Sequence, residues 1–303
     1  MIETSVVLLR GLQYGAAVVL LGTPLFLLYG YSPGRGVAGP TGARRLIAGA
    51  ALAVALFSLA GLVAQTAVMA GSLAEALKPA SLGFMIGDTA LGMAFVSRAA
   101  AALIVLILFS LVPSGRVLWG LAALGGLVVV ASFAWTGHGA STEGPGRLIH
   151  LGADIVHAVA AALWLGALAG FALLLARPRA PAPTHRALRD FAGVGTLAVA
   201  LLVATGLINS GYLIGPERLG SLFTSLYGQL LLLKLALFAA MIAIAAGNRW
   251  RLTPALGAAL AAGGDTAPAL ARLRRSVLVE AAVGAAILLV VSLMGTLAPP
   301  AAL

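Results

Sequence analysis

Long apolar runs separated by short polar ones set the pattern of this chain. Eight of them, near residues 5–31, 45–70, 89–112, 116–136, 147–176, 191–214, 224–247 and 274–297, are each long enough to cross about 30 Å of hydrocarbon as a helix. The segments between them carry Gly, Pro and charge, as in SPGRGVAGPTGARR and RPRAPAPTHRALRD, and are expected to be loops. The pattern predicts an all-α integral membrane protein of eight transmembrane helices. The opening MIETSVVLLRGLQYG lacks a basic leader and a small-residue cleavage site, so it is expected to stay as the first helix.

Composition agrees with the pattern. Residues are 61% hydrophobic and 9% charged, whereas a soluble protein carries about 25% charged residues to cover its surface. There is no cysteine, which excludes disulfides, iron–sulfur clusters and thiolate metal sites and leaves His, Met, Asp and Glu for any soft metal. The net charge of +10 does not point to nucleic acid, because the arginines sit in short loops between apolar runs. The connections after helices one, three, five and seven hold 13 Arg, and the opposite side holds four basic residues: Arg10, Lys78, Arg147 and Arg218. The positive-inside rule then makes the Arg-rich side cytoplasmic and both termini periplasmic. Glu75, Asp88, His138, Glu143 and Glu217 fall on the outer side.

The chain divides into an N-terminal half, 1–136, and a C-terminal half, 137–303, with signs of a four-plus-four duplication. Arg10-Gly-Leu-Gln13-Tyr-Gly15 aligns with Arg147-Leu-Ile-His150-Leu-Gly152. Gly92 and Arg98 have the spacing of Gly228 and Lys234, each Gly after a Thr (Thr89, Thr224). Gly61–Thr66 resembles Gly206–Ser210, and Arg116 to Gly125 has the spacing of Arg275 to Gly284. The intramembrane histidines belong to the second half alone.

Those histidines mark the candidate functional centre. At about 100° per residue, His150, Asp154 and His157 fall in a sector roughly 60° wide, and Trp164 extends the stripe. An ionisable group in hydrocarbon costs on the order of 3 kcal/mol, so three on one helix face call for a pathway or a ligand. Imidazole and carboxylate suit a transition metal or a proton path. His150 and His157 lie ~10 Å apart along the axis, too far to share one ion with metal–nitrogen bonds near 2 Å unless the helix bends. Two arrangements fit. Asp154 orients a ligating imidazole, or the stripe is a ladder that a cation descends. A structural alternative has Asp154 neutralised by Lys234 or Arg98.

Other residues extend the set. His138, in Trp135-Thr-Gly-His138-Gly, and Glu143 stand at the expected outer mouth. Met69, Met85, Met93 and Met294 fall toward the outer side as soft donors, while Met241 lies deeper as filler. The candidate metal ligands are therefore His138, Glu143, His150, Asp154, His157, Met69 and Met294. Asn209 and Ser210 could line a cavity on helix six. His185 reads as a bystander in a basic loop, and Glu280 is expected to pair with an arginine at the inner interface. Gly263-Gly264 lacks the lysine and strand of a phosphate loop. A b-type haem needs histidines at matched depth on two facing helices, and here both intramembrane histidines share one. A sensor or docking receptor without transport is a further alternative.

With these residues in hand, the chain resembles the copper resistance protein D family, CopD and PcoD. The resemblance rests on Thr136-Gly137-His138, His150-x3-Asp154-x2-His157-x6-Trp164-x-Gly166 and Gly206-Leu-Ile-Asn209-Ser210. It continues through Thr224-x2-Tyr227-Gly228-x5-Lys234, Asn248-Arg249, Pro254 and Leu273-Arg274-Arg275-Ser276-x3-Glu280. In the first half it is carried by topology and by Thr89-x2-Gly92-x5-Arg98. The resemblance implies copper movement, as Cu(I) or Cu(II), across the bacterial inner membrane; import is the expected direction because acidic and His/Met groups cluster on the outer face while the cytoplasmic arginines repel cations. It also implies a periplasmic copper-binding partner of the CopC type, here expected as a separate protein. The expected role is transport within membrane lipid and not enzymatic catalysis.

Overall fold

The computed structural model describes residues 2–30, 42–137, 140, 142–176 and 181–302. Its architecture is all-helical, with no strand among the described residues. Eight helices are long and apolar enough to span a membrane. They are α1 (Ile2–Tyr29), α2 (Ala43–Ala70), α3 (Ala90–Leu111), α4 (Arg116–Ser132), α5 (Arg147–Ala176), α6 (Pro181–Leu213), α7 (Leu226–Gly247) and α8 (Ala267–Met294). Large apolar side chains point outward all round the bundle, among them Ile104, Ile107, Leu207 and Leu289. Water would not tolerate that surface and lipid does, so this is a multi-pass membrane protein.

The two halves meet along α1 and α5. α1 packs against α2, α4, α5 and α8, and α5 packs against α6 and α8. Lipid offers no hydrophobic drive between helices, so close approach through small residues does this work. At the α1–α5 crossing, Gly22 faces Ala162 and Gly166, and a Cβ on either glycine would overlap the other helix's backbone. Thr23 Oγ1 donates to the Gly166 carbonyl at 3.0 Å, tying the same crossing.

Three boundaries differ from the sequence expectation. α6 starts at Pro181 and not near 191, and α8 starts at Ala267 and not near 274, so segments read as loops are helical. Proline is harmless in a first helical turn, where its missing N–H has no partner anyway. α7 runs on through a π-helical turn, Asn248–Leu252, into a helix Thr253–Ala261. Pro254 explains the turn: its ring and absent N–H disrupt a regular α-helix, and the wider π turn accommodates both.

α3 and α7 begin with the same device. The Gly92 N–H donates to Thr89 Oγ1 and the Gly228 N–H to Ser225 Oγ, both at 3.0 Å. A Cβ at either glycine would strike the carbonyl of the preceding short helix, Met85 in one case and Ser221 in the other. The cap before α7 is Ser225 and not Thr224, so the repeated spacing is Thr89-x2-Gly92-x5-Arg98 and Ser225-x2-Gly228-x5-Lys234.

Candidate functional site

α5 and α6 run antiparallel, and the polar stripe of α5 meets a matching one on α6. His150, Asp154 and His157 are spaced four and three apart; Thr205, Asn209 and Tyr212 are spaced the same way. Antiparallel packing pairs them in reverse order. His157 Nδ1 meets Thr205 Oγ1 at 2.9 Å, Asn209 Nδ2 lies 3.5 Å from Asp154 Oδ1, and the His150 ring stacks on Tyr212 with centroids 4.7 Å apart and planes 4° from parallel. Polar residues on both sides of this interface satisfy one another, as helices in lipid require.

The pairing fixes the chemistry of His157. Thr205 Oγ1 gives its own proton to the Leu201 carbonyl at 2.6 Å. With that proton spent, and with the Leu202 backbone a further hydrogen-bond partner of the ring, the hydroxyl is an acceptor for the imidazole, which places a proton on Nδ1. That is the tautomer in which a metal-ligating imidazole is held by an outer partner. The sequence singled out His157 but not Thr205. The signal was present in the mirrored spacing, which becomes readable once α5 and α6 are known to be neighbours.

Asp154 is held loosely. The contact from Asn209 is at the long limit of a hydrogen bond, and Oδ2 faces the backbone at Gly137. Neither expected neutralising pair forms within 4 Å: among the described residues the ion pair at that distance is Lys78 with Glu75 on the surface. Lys234 is close enough for its charge to act on both Asp154 and His157. Arg98 instead gives its nitrogens to neutral oxygens in the first half. Asn209 Oδ1 is buried with no donor, leaving an acceptor beside the carboxylate.

His150 is 1% exposed, and its Nδ1 shares a 2.6 Å hydrogen bond with Thr142 Oγ1 from the preceding loop. Glu143 is next to that threonine. His138 lies outside the described residues. Deeper along α5 the stripe reaches Trp164, whose Nε1–H donates to Glu280 Oε1 at 2.7 Å, while Asn248 Nδ2 donates to Glu280 Oε2 at 2.8 Å. This corrects the expectation of an arginine partner for Glu280. α8 starts a turn and more earlier than expected, so Glu280 sits inside the bundle, beyond the arginines at the end of the helix.

The methionines separate. Met294 is buried with Tyr227, Leu231 and Val290 between α7 and α8. Met69 is 57% exposed on α2, a helix of the other half that packs on α1 and α3, and the structure does not bring it to the stripe. Met85 is buried, and its sulfur accepts from Thr89 Oγ1 at 3.3 Å. Among the described residues, no three His, Asp or Glu gather closely enough to enclose a metal ion. The stripe offers successive single donors, not a closed cage.

α6 and α7 come together at both ends. α6 and α7 are joined near the Arg-rich end, where Arg249 Nη1 donates to Thr196 Oγ1 at 2.6 Å and Thr253–Ala261 packs on α6. At the other end Ile214, just past α6, is buried in one cluster with Tyr227 and Leu231 of α7. Asp154, His157, Asn209 and Lys234 lie half-buried between these ends.

These features define a class: a multi-pass helical membrane protein with ionisable side chains inside its bundle. Residues 1–148 match the family described as copper resistance protein D-like, N-terminal domain, and residues 185–294 match copper resistance protein D. The chain is 36% identical over 301 residues to copper resistance protein D of Pseudomonas syringae pv. tomato, covering 94% of each. It belongs to the copper resistance protein D family. It is also 29% identical to the inner membrane protein YebZ of Escherichia coli, over 91% of this chain and 95% of that one. Copper transport protein CutJ of Bacillus subtilis is 29% identical over 78% of this chain, which spans 44% of that longer protein. No solved structure matches.

Proposed function

We propose that the protein carries copper inward across the bacterial cytoplasmic membrane through its second half. The observation that supports this most directly is His157, whose Nδ1 meets Thr205 Oγ1, with a carboxylate one turn away that no cation among the described residues pairs within 4 Å. Copper is the cargo. His138 and Glu143 collect it at the outer mouth, where a CopC-type protein delivers it, and it passes to His150. Asp154 offsets its charge and His157 supplies nitrogen. Single donors in series suit conduction, because each rung binds firmly enough to admit an ion and weakly enough to release it. Acidic and His/Met groups fall on the outer side and arginines, which repel cations, on the cytoplasmic side, and that asymmetry favours entry from the periplasm. The role is transport, with no catalysis.

The test is copper flux into proteoliposomes of sorted orientation. Uptake from the side bearing the termini, lost in Asp154→Asn and His157→Ala protein of normal yield, supports the reading. Flux only in the opposite direction overturns import. Copper binding without flux in either direction assigns the stripe to sensing or docking.

A further inference from the structure

Seven residues past His157, the stripe of α5 ends on a carboxyl group held by neutral partners. Glu280 is 2% exposed and accepts from Trp164 Nε1–H at Oε1 and from Asn248 Nδ2 at Oε2. Among the described residues, no Arg, Lys or His comes within 4 Å of its carboxyl oxygens. The charged and titratable groups of the helices packed around it stand off along their axes. On α5, His157 is about 10 Å from Trp164, with Asp154 and His150 farther; on α7, Lys234 and Tyr227 are about 20 Å or more from Asn248. On α1, the crossing at Gly22 leaves Tyr14 and Tyr29 each about 10–12 Å along the axis, with Arg10 beyond Tyr14. Arg272, Arg274 and Arg275 of α8 and Arg249 and Arg251 of the π turn are exposed at the Arg-rich end. The helix Thr253–Ala261 carries no titratable side chain.

A buried carboxylate with no cation beside it is costly, and a proton removes the cost. The acid then needs an acceptor for its O–H, and the Trp164 indole can only donate. Asn248 supplies that acceptor. Its Oδ1 is buried with no donor, on the same amide whose Nδ2 bonds Oε2. A half-turn of the amide puts Oδ1 where Nδ2 stands. The pair therefore has two hydrogen-bonded forms: a carboxylate whose Oε2 accepts from Nδ2, and an acid whose Oε2–H donates to Oδ1. Trp164 bonds Oε1 in both, and one amide atom lacks a partner in both, so neither form loses a bond to the other. Asn248 opens the π-helical turn and is buried, while Arg249 and Trp250 beside it are exposed. The site is thus one residue from the surface at the Arg-rich end, at a kind of helix irregularity that often marks function.

We propose that Glu280 is a proton-binding site that exchanges its proton with water at the Arg-rich end, and that proton and copper exclude one another along the stripe; the mutual exclusion rests on the copper reading above. A unit charge about 10 Å away, at an effective dielectric constant near 20, alters occupancy by on the order of tenfold. Copper at His157 drives the proton off Glu280, and by linkage a proton on Glu280 weakens copper by the same factor.

The experiment is infrared titration of the purified full-length protein without metal, followed by copper affinity from chelator competition at acid and alkaline pH. Wild type is expected to show a protonated-carboxyl C=O band that fades on alkalinisation and is missing from Glu280→Gln. Trp164→Phe moves that band to higher frequency, because Oε1 loses a hydrogen bond. Glutamine reproduces the acid form, its amide donating to Asn248 Oδ1, so the variant is expected to fold. Its copper affinity is expected to match wild type at acid pH and to be about tenfold weaker at alkaline pH, where only wild type gains a negative charge. Carboxyl bands unchanged in Glu280→Gln, or equal affinities of the two proteins at both pH values, overturn the proposal. A titrating Glu280 band in a protein that binds no copper at either pH supports the proton site and overturns the copper reading instead. Should Glu280→Gln fail to fold, the band shift in Trp164→Phe decides.

Discussion

Thr205→Val tests the arrangement of the site more sharply than removal of a ligand. Valine keeps the branched shape of a side chain that is 6% exposed, so packing between α5 and α6 changes little. The hydroxyl that takes the His157 Nδ1 proton at 2.9 Å is lost. Left in place, that buried N–H is unsatisfied at a cost of about 1–3 kcal/mol. The ring avoids the cost by moving its proton to Nε2, and that move blocks the nitrogen available to copper. An outer partner of a metal-binding imidazole is typically worth about 10–100-fold in affinity, or roughly 1.4–2.7 kcal/mol. Copper affinity measured by chelator competition, and half-saturation of uptake in proteoliposomes, are therefore expected to worsen by about tenfold or more in Thr205→Val. Thr205→Ser, which retains the hydroxyl, is expected to stay near wild type. Equal affinity and uptake in Thr205→Val and wild type, with both proteins folded, would refute the claim that Thr205 sets His157 for metal.

Further outcomes follow from the same geometry. Asp154→Asn keeps the contact surface toward Asn209 but removes the charge that offsets a cation, so copper uptake is expected to fall at least as far as in His157→Ala and further than in His150→Ala; membrane yield is measured alongside, and full uptake in Asp154→Asn contradicts the role of that charge. Gly166→Val drives a side chain into the α1 backbone at Gly22 and is expected to cost about 1–3 kcal/mol or more, read as a lower unfolding temperature in detergent; an unchanged midpoint would mean that the crossing is looser than described. A reporter active only in the cytoplasm is expected to be silent after Leu303 and active when inserted at Ala182, and the reverse result inverts the membrane orientation.

Helix number and the polar stripe of α5 are legible in the sequence because each depends on local information. Twenty consecutive apolar residues must satisfy their own backbone in lipid, so length and composition alone predict eight spanning helices. The stripe of His150, Asp154 and His157 depends only on helical periodicity, and the structure keeps all three on one buried or half-buried face of α5. Boundaries were less legible. Prolines and arginines at 181–190 read as loop, yet proline suits a first turn and long arginine side chains reach the interface from inside a helix.

What only the tertiary structure decided is which side chains share a partner. Nothing local to α6 says that Thr205 faces His157, that Asn209 faces Asp154 or that Tyr212 covers His150; the antiparallel register of two helices does, by reversing one spacing against the other. The same holds for Glu280, which meets Trp164 and Asn248 because three helices converge on it, although its neighbours in sequence suggested an arginine. It holds for Arg98, whose charge matched that of Lys234 in the sequence but whose hydrogen-bond partners in the fold are all neutral. Periodicity tells a helix which face to bury, but the chemistry of a buried group is set by atoms 3 Å away, and in a bundle most of those belong to other helices.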